Sequence, residues 1–354
     1  MFILRLYIIS LLTLLYSCSS PQNEKKNNET ETSKSLELVS SSSAQWTGVA
    51  VSKKNRIFVN YPKWSENVPV AVAEIINGKP VPYPSEMWNT AGGVTSFTAV
   101  QSVVCDGRSR LWVLDTNNPQ FRGVLEGGPV LYEFDLNTNE LLRSYSFPKE
   151  TYFEDSYFND VRIDITKEVA YITDSGHGGI ITLNLITGEA KLFFENNKAV
   201  KYETNHLICD GIKWENKVNS DGIALSPDNQ FLYYIALTGH TLYRINTNYL
   251  WDEKLTKAEV EKHIEKVAKI PATDGMLFDR NGNLWLGGLE SNSINVFTAK
   301  GELKTVLKGS EIRWADSFAK NLDREIYFTT SQIHLPEDKR GQYGLYKISM
   351  DLLK

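Results

Sequence analysis

One pattern recurs six times along the chain: a short apolar strand, a polar turn bearing Asp, Asn or Gly, then a strand carrying an aromatic residue. The copies span residues 48–59, 102–113, 161–172, 222–234, 275–286 and 317–328. Their aromatic positions, Phe58, Trp112, Tyr171, Tyr233, Trp285 and Tyr327, recur about every 54 residues. Turns such as Ser226-Pro227-Asp228-Asn229 and Asp279-Arg280-Asn281-Gly282 hold residues that accept tight-turn geometry. A third strand follows in most copies, at 130–136, 179–185, 241–245, 293–297 and 344–348. A fourth often follows a turn such as Thr187-Gly188-Glu189 or Ala299-Lys300-Gly301. Three or four antiparallel strands within about 50 residues make a propeller blade. A pair of β-sandwiches is the competing arrangement, and it accommodates six matching units poorly. The reading is therefore all-β, a six-bladed β-propeller over residues 35–354.

A ring of blades must close. The last unit ends near Met350, short of a fourth strand, while residues 35–40 have strand character and precede the first blade. They are expected to pair with the last blade as its missing strand. Helix is scarce. Its one strong signal is residues 256–268, where Thr256 and Glu259 fit a capping box, Leu255 and Val260 a hydrophobic staple, and Val260, Ile264 and Val267 share a face. It reads as a decoration between blades four and five.

The N-terminus is of another kind. Arg5 precedes an apolar stretch at 6–16 that is too short to span a bilayer, which takes about 20 apolar residues. It reads as the core of a signal peptide. Leu15-Tyr16-Ser17-Cys18 resembles a bacterial lipobox, which makes residues 1–18 a lipoprotein signal and Cys18 the lipidated residue. Residues 19–34 hold no apolar side chain able to join a core and read as a disordered tether. Expected location follows: the cell envelope, held by the lipid alone, or the extracellular space. Beyond Cys18 only Cys105 and Cys209 remain, which is no disulfide framework, and their pairing stays open. The net charge of −5 and the lack of basic runs exclude a nucleic-acid footprint. A monomer is expected.

In a blade the innermost strand begins at one face of the ring. The loop leading into it and the loop after the second strand therefore share that face. The lead-in residues are Thr47, Gln101, Asn159, Asp160, Asp221, Asp274 and Asp316. The second loops add Asn60, Asp115, Asp174, His177, His240, Glu290, Ser331 and Gln332, with Trp46 and Trp314 flanking. One mouth thus gathers carboxylates, amides and two histidines. Clustered carboxylates coexist only with a cation, shared protons or hydrogen bonds. Each Asp either caps its own blade by accepting backbone N–H groups or serves a ligand or cation, to which Ca²⁺ would be suited. His177 and His240 are the candidates for proton transfer. Asn159, Asp160, Asp221, Asp274, Asp316, Gln101, His177, His240, Glu290 and Trp314 are the candidate ligand residues.

Several runs resemble the major royal jelly protein/Yellow family in its bacterial branch. They are Val59-Asn60-Tyr61-Pro62 with Trp64, Val100-Gln101-Ser102-Val103, Arg110-Leu111-Trp112-Val113-Leu114-Asp115, Tyr157-Phe158-Asn159-Asp160-Val161-Arg162, Thr173-Asp174-Ser175-Gly176 and Asp221-Gly222-Ile223-Ala224-Leu225. The resemblance implies an exported six-bladed propeller. It implies little about reaction, since family members include food proteins, pigmentation factors and binders of small aromatic amines. A more distant likeness is to calcium-dependent lactone hydrolases of the gluconolactonase type. It implies Asn159, Asp221 and Asp274 as metal ligands, with Thr47 or Trp46 standing where that group has a glutamate. Three functions follow as expectations: a binder of a small polar or aromatic ligand at the mouth, a metal-dependent lactone or ester hydrolase, or an envelope scaffold.

Overall fold

The structure, a computed structural model, describes residues 35–90, 92 and 95–353. The lipobox Cys18, the signal segment and the tether lie outside the described residues. Six four-stranded antiparallel sheets are arranged as a propeller. The inner strands are Val49–Val51, Val100–Cys105, Phe158–Asp164, Ser220–Leu225, Met276–Phe278 and Ala315–Lys320. Blades one to five then run outward in chain order.

The aromatic repeat has a direct physical cause. Successive side chains of a strand point to opposite faces, so each blade offers one apolar row to each neighbour. In Arg110–Asp115, Leu111 and Val113 pack towards blade one, while Trp112 and Leu114 pack towards blade three. Phe58, Trp112, Tyr171, Tyr233, Trp285 and Tyr327 each belong to a different one of the six cores between blades. The large rings fill the widening wedge between neighbouring sheets. Where an indole would be stranded, a turn acid accepts its N–H: Trp112 donates to Asp106 at 3.0 Å and Trp285 to Asp279 at 3.2 Å.

The ring closes as expected. Leu36–Ser42 pairs antiparallel with Tyr343–Ser349, with Leu36 opposite Ile348 and Ser42 opposite Tyr343. Blade six is thus completed by the start of the chain. The helix expectation needs correction. Thr256 and Glu259 do form the capping box, but the helix is only Lys257–Glu261. Residues Glu265–Lys269 form the outer strand of blade four, so the helix lies within that blade's last connection. Pairing with Thr241–Asn246 outweighs a helical period carried by only three residues.

Four inner strands carry a bulge where they meet the mouth. Pairing slips between Val100 and Ser102, Phe158 and Val161, Ser220 and Ile223, and Ala315 and Phe318. A bulge re-aims the side chains it contains, and these contain Gln101, Asn159, Asp160, Asp221 and Asp316. The glycines beside two of the acids permit close approach of neighbouring strands. A Cβ on Gly222 would stand 2.3 Å from the Asp274 carbonyl oxygen, and one on Gly275 2.5 Å from that of Asp316.

Candidate functional site

The mouth gathers what the repeat places there. Gln101, Asn159, Asp160, Asp221, Asp274 and Asp316 line one void of about 10 Å³, with Gly48, Ser102, Gly275 and Ser317. That is room for about one water-sized group. Asp221, Asp274 and Asp316 are each more than nine-tenths buried.

Capping and chemistry fall to different acids. Asp115, in a second loop, accepts from the backbone N–H groups of Thr98, Ala99 and Asn117. Asp174 does the same for Tyr157, Gly176 and His177. Among the lead-in acids, Asp221, Asp274 and Asp316 do not cap. Asp221 accepts from the Asn159 amide at 2.6 Å, and Asp274 from the Trp314 indole at 2.8 Å. The Asp316 Oδ2 is buried without a hydrogen-bond partner among the described residues. Asp160 is neutralised differently: Ser102, the Val161 N–H and Arg162 each donate to its Oδ1 at 2.8 Å.

Burial dominates the electrostatics. It holds the Asp221 carboxyl well above the usual range, reinforced by the charges of Asp274, Asp316 and Asp160. Asp316 rises for the same reason, with Asp274 as its main charged neighbour. Asp274 is pushed up to about 7 by burial, against the hydrogen bonds from Trp314 and Asp221. Three acids taken out of water repel one another and keep protons at pH values where free aspartates are ionised. The charge of Asp274 favours a proton on Asp221.

Arg162 closes the floor. It reaches across from blade three, donating to Asp160 and, at 2.8 Å, to the carbonyl of Met276 on blade five. On one side of the mouth the Tyr157 hydroxyl donates to Gln101 at 2.8 Å and accepts from the Trp64 indole at 2.7 Å. Phe121 stacks on Tyr157 with centroids 4.7 Å apart and leaves 60% of its surface exposed. Gln101 passes a hydrogen bond of 3.2 Å to Asn159, linking this aromatic wall to Asp221.

Other candidates lie elsewhere. His177 meets Asp155 at 2.9 Å and stacks on Phe153, while His240 meets Glu290 at 2.9 Å. Neither ring bonds to an acid of the void. Trp46 is a core residue between blades six and one. Trp314 is fully buried beneath the mouth's edge. The proposed metal set of Asn159, Asp221 and Asp274 is brought together, but its donors face one another. The Asn159 amide oxygen accepts from Gln101 and its N–H donates to Asp221, Asp274 accepts from the Trp314 indole, and Thr47 supplies no carboxylate from blade one. Among the described residues no group of three His, Cys, Asp or Glu is placed to hold a metal ion. These residues do not fit a calcium cradle.

Arg162, Tyr157, Phe121 and Trp64 were not among the predicted site residues, although Trp64, Tyr157 and Arg162 stand in the family-like runs. A β-hairpin, His206–Cys209 with Ile212–Glu215, was also missed. Its signal was present: Asp210-Gly211 at the turn, both with positive φ, is a common two-residue hairpin connection.

Comparison with known proteins bears on the fold and the family. Protein yellow of Drosophila madeirensis is 27% identical over 233 residues, covering 57% of this chain and 39% of that protein. Protein yellow of Drosophila melanogaster is also 27% identical, covering 57% and 41%. The chain thus spans about two fifths of the length of these relatives. Among solved structures, a gluconolactonase from Xanthomonas campestris superposes with a TM-score of 0.57 at 13% identity, covering 89% of each chain. Regucalcin, a calcium-binding protein from Agrobacterium tumefaciens, gives 0.56 at 12%, covering 88% and 92%. At that identity the likeness is one of fold. The family model "Major royal jelly protein" matches residues 98–318, more than half of the chain. The chain belongs to the major royal jelly protein family.

Proposed function

We propose that this protein binds a small organic cation at the mouth of its central channel, without turnover. One observation carries the reading: three buried carboxylates, one with an unpartnered oxygen, converge on a void whose Gln101 is hydrogen-bonded to Tyr157, on which the exposed Phe121 stacks. The void admits one ammonium-sized group. The body of an aromatic amine would then lie outward, against Phe121, Tyr157 and Trp64, where ring faces attract cations. The two histidines are turned to rim carboxylates, so neither stands ready for the proton transfer that the hydrolase reading asked of them.

Calorimetry with phenylethylammonium and tryptammonium, against their neutral alcohol analogues, tests this. Heat is expected from the cations only. It should vary with the buffer's ionisation enthalpy, because a bound cation displaces protons from the acids. Asp316→Asn should weaken binding about tenfold or more. No heat from any cation would sink the reading.

The location is part of the same proposal: an exported protein held at a membrane by acyl chains on Cys18. Cys18→Ser should shift the protein from the membrane pellet to the soluble fraction. An unchanged distribution would remove the anchor.

A further inference from the structure

The hairpin His206–Cys209/Ile212–Glu215 leaves the loop into blade four and reaches over the rim of blades five and six. Its underside is packed: Leu207 and Cys209 are fully buried with Leu237, Ala272, Leu289 and Trp314. Its tip is latched by Asp210, which meets His334 at 2.9 Å, Arg313 at 3.2 Å and the Asn292 amide at 2.5 Å. Glu290 adds a second anchor, accepting from the Ile208 N–H at 3.0 Å.

Trp314 stands where these parts meet. Trp214 of the hairpin packs on it edge-on, with centroids 4.8 Å apart. His334, which holds the latch, stacks on its ring at 5.7 Å and 12°. Its indole N–H is the donor to Asp274. Its backbone has φ +58°, a left-handed conformation that is an outlier for so bulky a residue. Such conformations persist where the surroundings over-determine them. Here they fix one ring against the hairpin, the latch and the channel floor together.

We infer that Trp314 is a positioning residue that couples the seating of this hairpin on the rim to Asp274 at the channel mouth. A change at Asp274 alters the bond that orients the indole. The buried ring can move only against Trp214 and His334, so the hairpin must respond. Linkage makes the effect reciprocal: whatever lifts the hairpin changes the affinity of the floor for its occupant. The charged and titratable groups around this unit include Asp274, Asp210, Arg313, His334, Arg340, and Glu290 with its partner His240. What the coupling would serve rests on the ligand reading above, but the coupling itself does not.

The coupling is tested on the full chain without ligand, by amide hydrogen exchange of residues 207–214. Asp210→Asn should speed their exchange about tenfold by loosening the latch. Asp274→Asn, which does not touch the hairpin, should change the same amides about threefold. The double variant should depart from the product of the two by about threefold. A strict product, or no hairpin response to Asp274→Asn, overturns the inference. Trp314→Phe should abolish the response to Asp274→Asn. If that variant does not fold, Trp214→Phe takes its place and should diminish the response; an undiminished response overturns the role of Trp314. Because no ligand enters these measurements, they stand whether or not the binding proposal survives.

Discussion

Gly222→Ala should destabilise the protein by about 3 kcal/mol or more, among the largest effects of any single methyl group in the ring. The added Cβ would stand 2.3 Å from the Asp274 carbonyl oxygen and 3.1 Å from the Ile235 side chain. The first contact is with backbone of the neighbouring inner strand, which cannot rotate away as a side chain can. Relief would need two blades to separate at the axis, where all six meet. For about 320 ordered residues such a loss corresponds to a fall of about 5 °C in melting temperature. Gly188→Ala is the control, since a Cβ there meets nothing within 4 Å and only its φ of +77° is strained. A Gly222→Ala melt equal to that of the control would show that the inner strands yield more than their spacing suggests.

Asp274→Asn should do the opposite and stabilise the protein near pH 7.5. In the unfolded chain this aspartate titrates near 3.9, whereas in the ring it is pushed up to about 7. Below about pH 4 both states hold the proton and nothing is lost. Between about 4 and 7 the unfolded chain ionises while the folded one does not, so stability falls as pH rises. The ceiling of that loss is about 4 kcal/mol, from about three units at 1.36 kcal/mol each. Asparagine keeps the shape, can donate to Asp221, and still accepts from Trp314. Thermal melts from pH 5 to 7.5 should therefore decline less steeply in the variant. Asp221 and Asp316, raised in the same direction, keep some slope in place. The acids held below their usual range, such as Asp210 and Glu325, lose their contribution only as pH falls through about 4 and below. Equal slopes would refute the upward push that burial gives Asp274. A rise in the wild-type melting temperature on adding calcium at pH 7.5 would restore the metal reading.

Much of this was legible in the sequence because a propeller repeats its physics. Tyr171 and Trp285 occupy one place in different wedges, so their spacing announced the blades. The period of strands and lead-in loops likewise put Asp160, Asp221, Asp274 and Asp316 at one mouth before any coordinates. What repetition could not show is how equivalent acids differ. Asp160 has Arg162 two residues on, and only the curvature of the ring reveals that this arginine also reaches Met276. Asp115 and Asp274 both sit beside the same face, yet one caps a loop and the other accepts from a buried indole. That distinction depends on which backbone N–H groups face each carboxylate. The hairpin at 206–215 was lost because it lies outside the repeat, and the strand at Glu265–Lys269 because three apolar residues fit either period.

Blade six has a final consequence. Leu36 lies opposite Ile348, where the third strand has run down from Tyr343 on the mouth side. The polypeptide therefore joins the disc from its reverse side and climbs towards the acids only along the outermost strand. A leash running from Cys18 to Leu36 would hold the disc by its back. Its acid-lined mouth would look out into the surrounding medium, clear of the lipid headgroups.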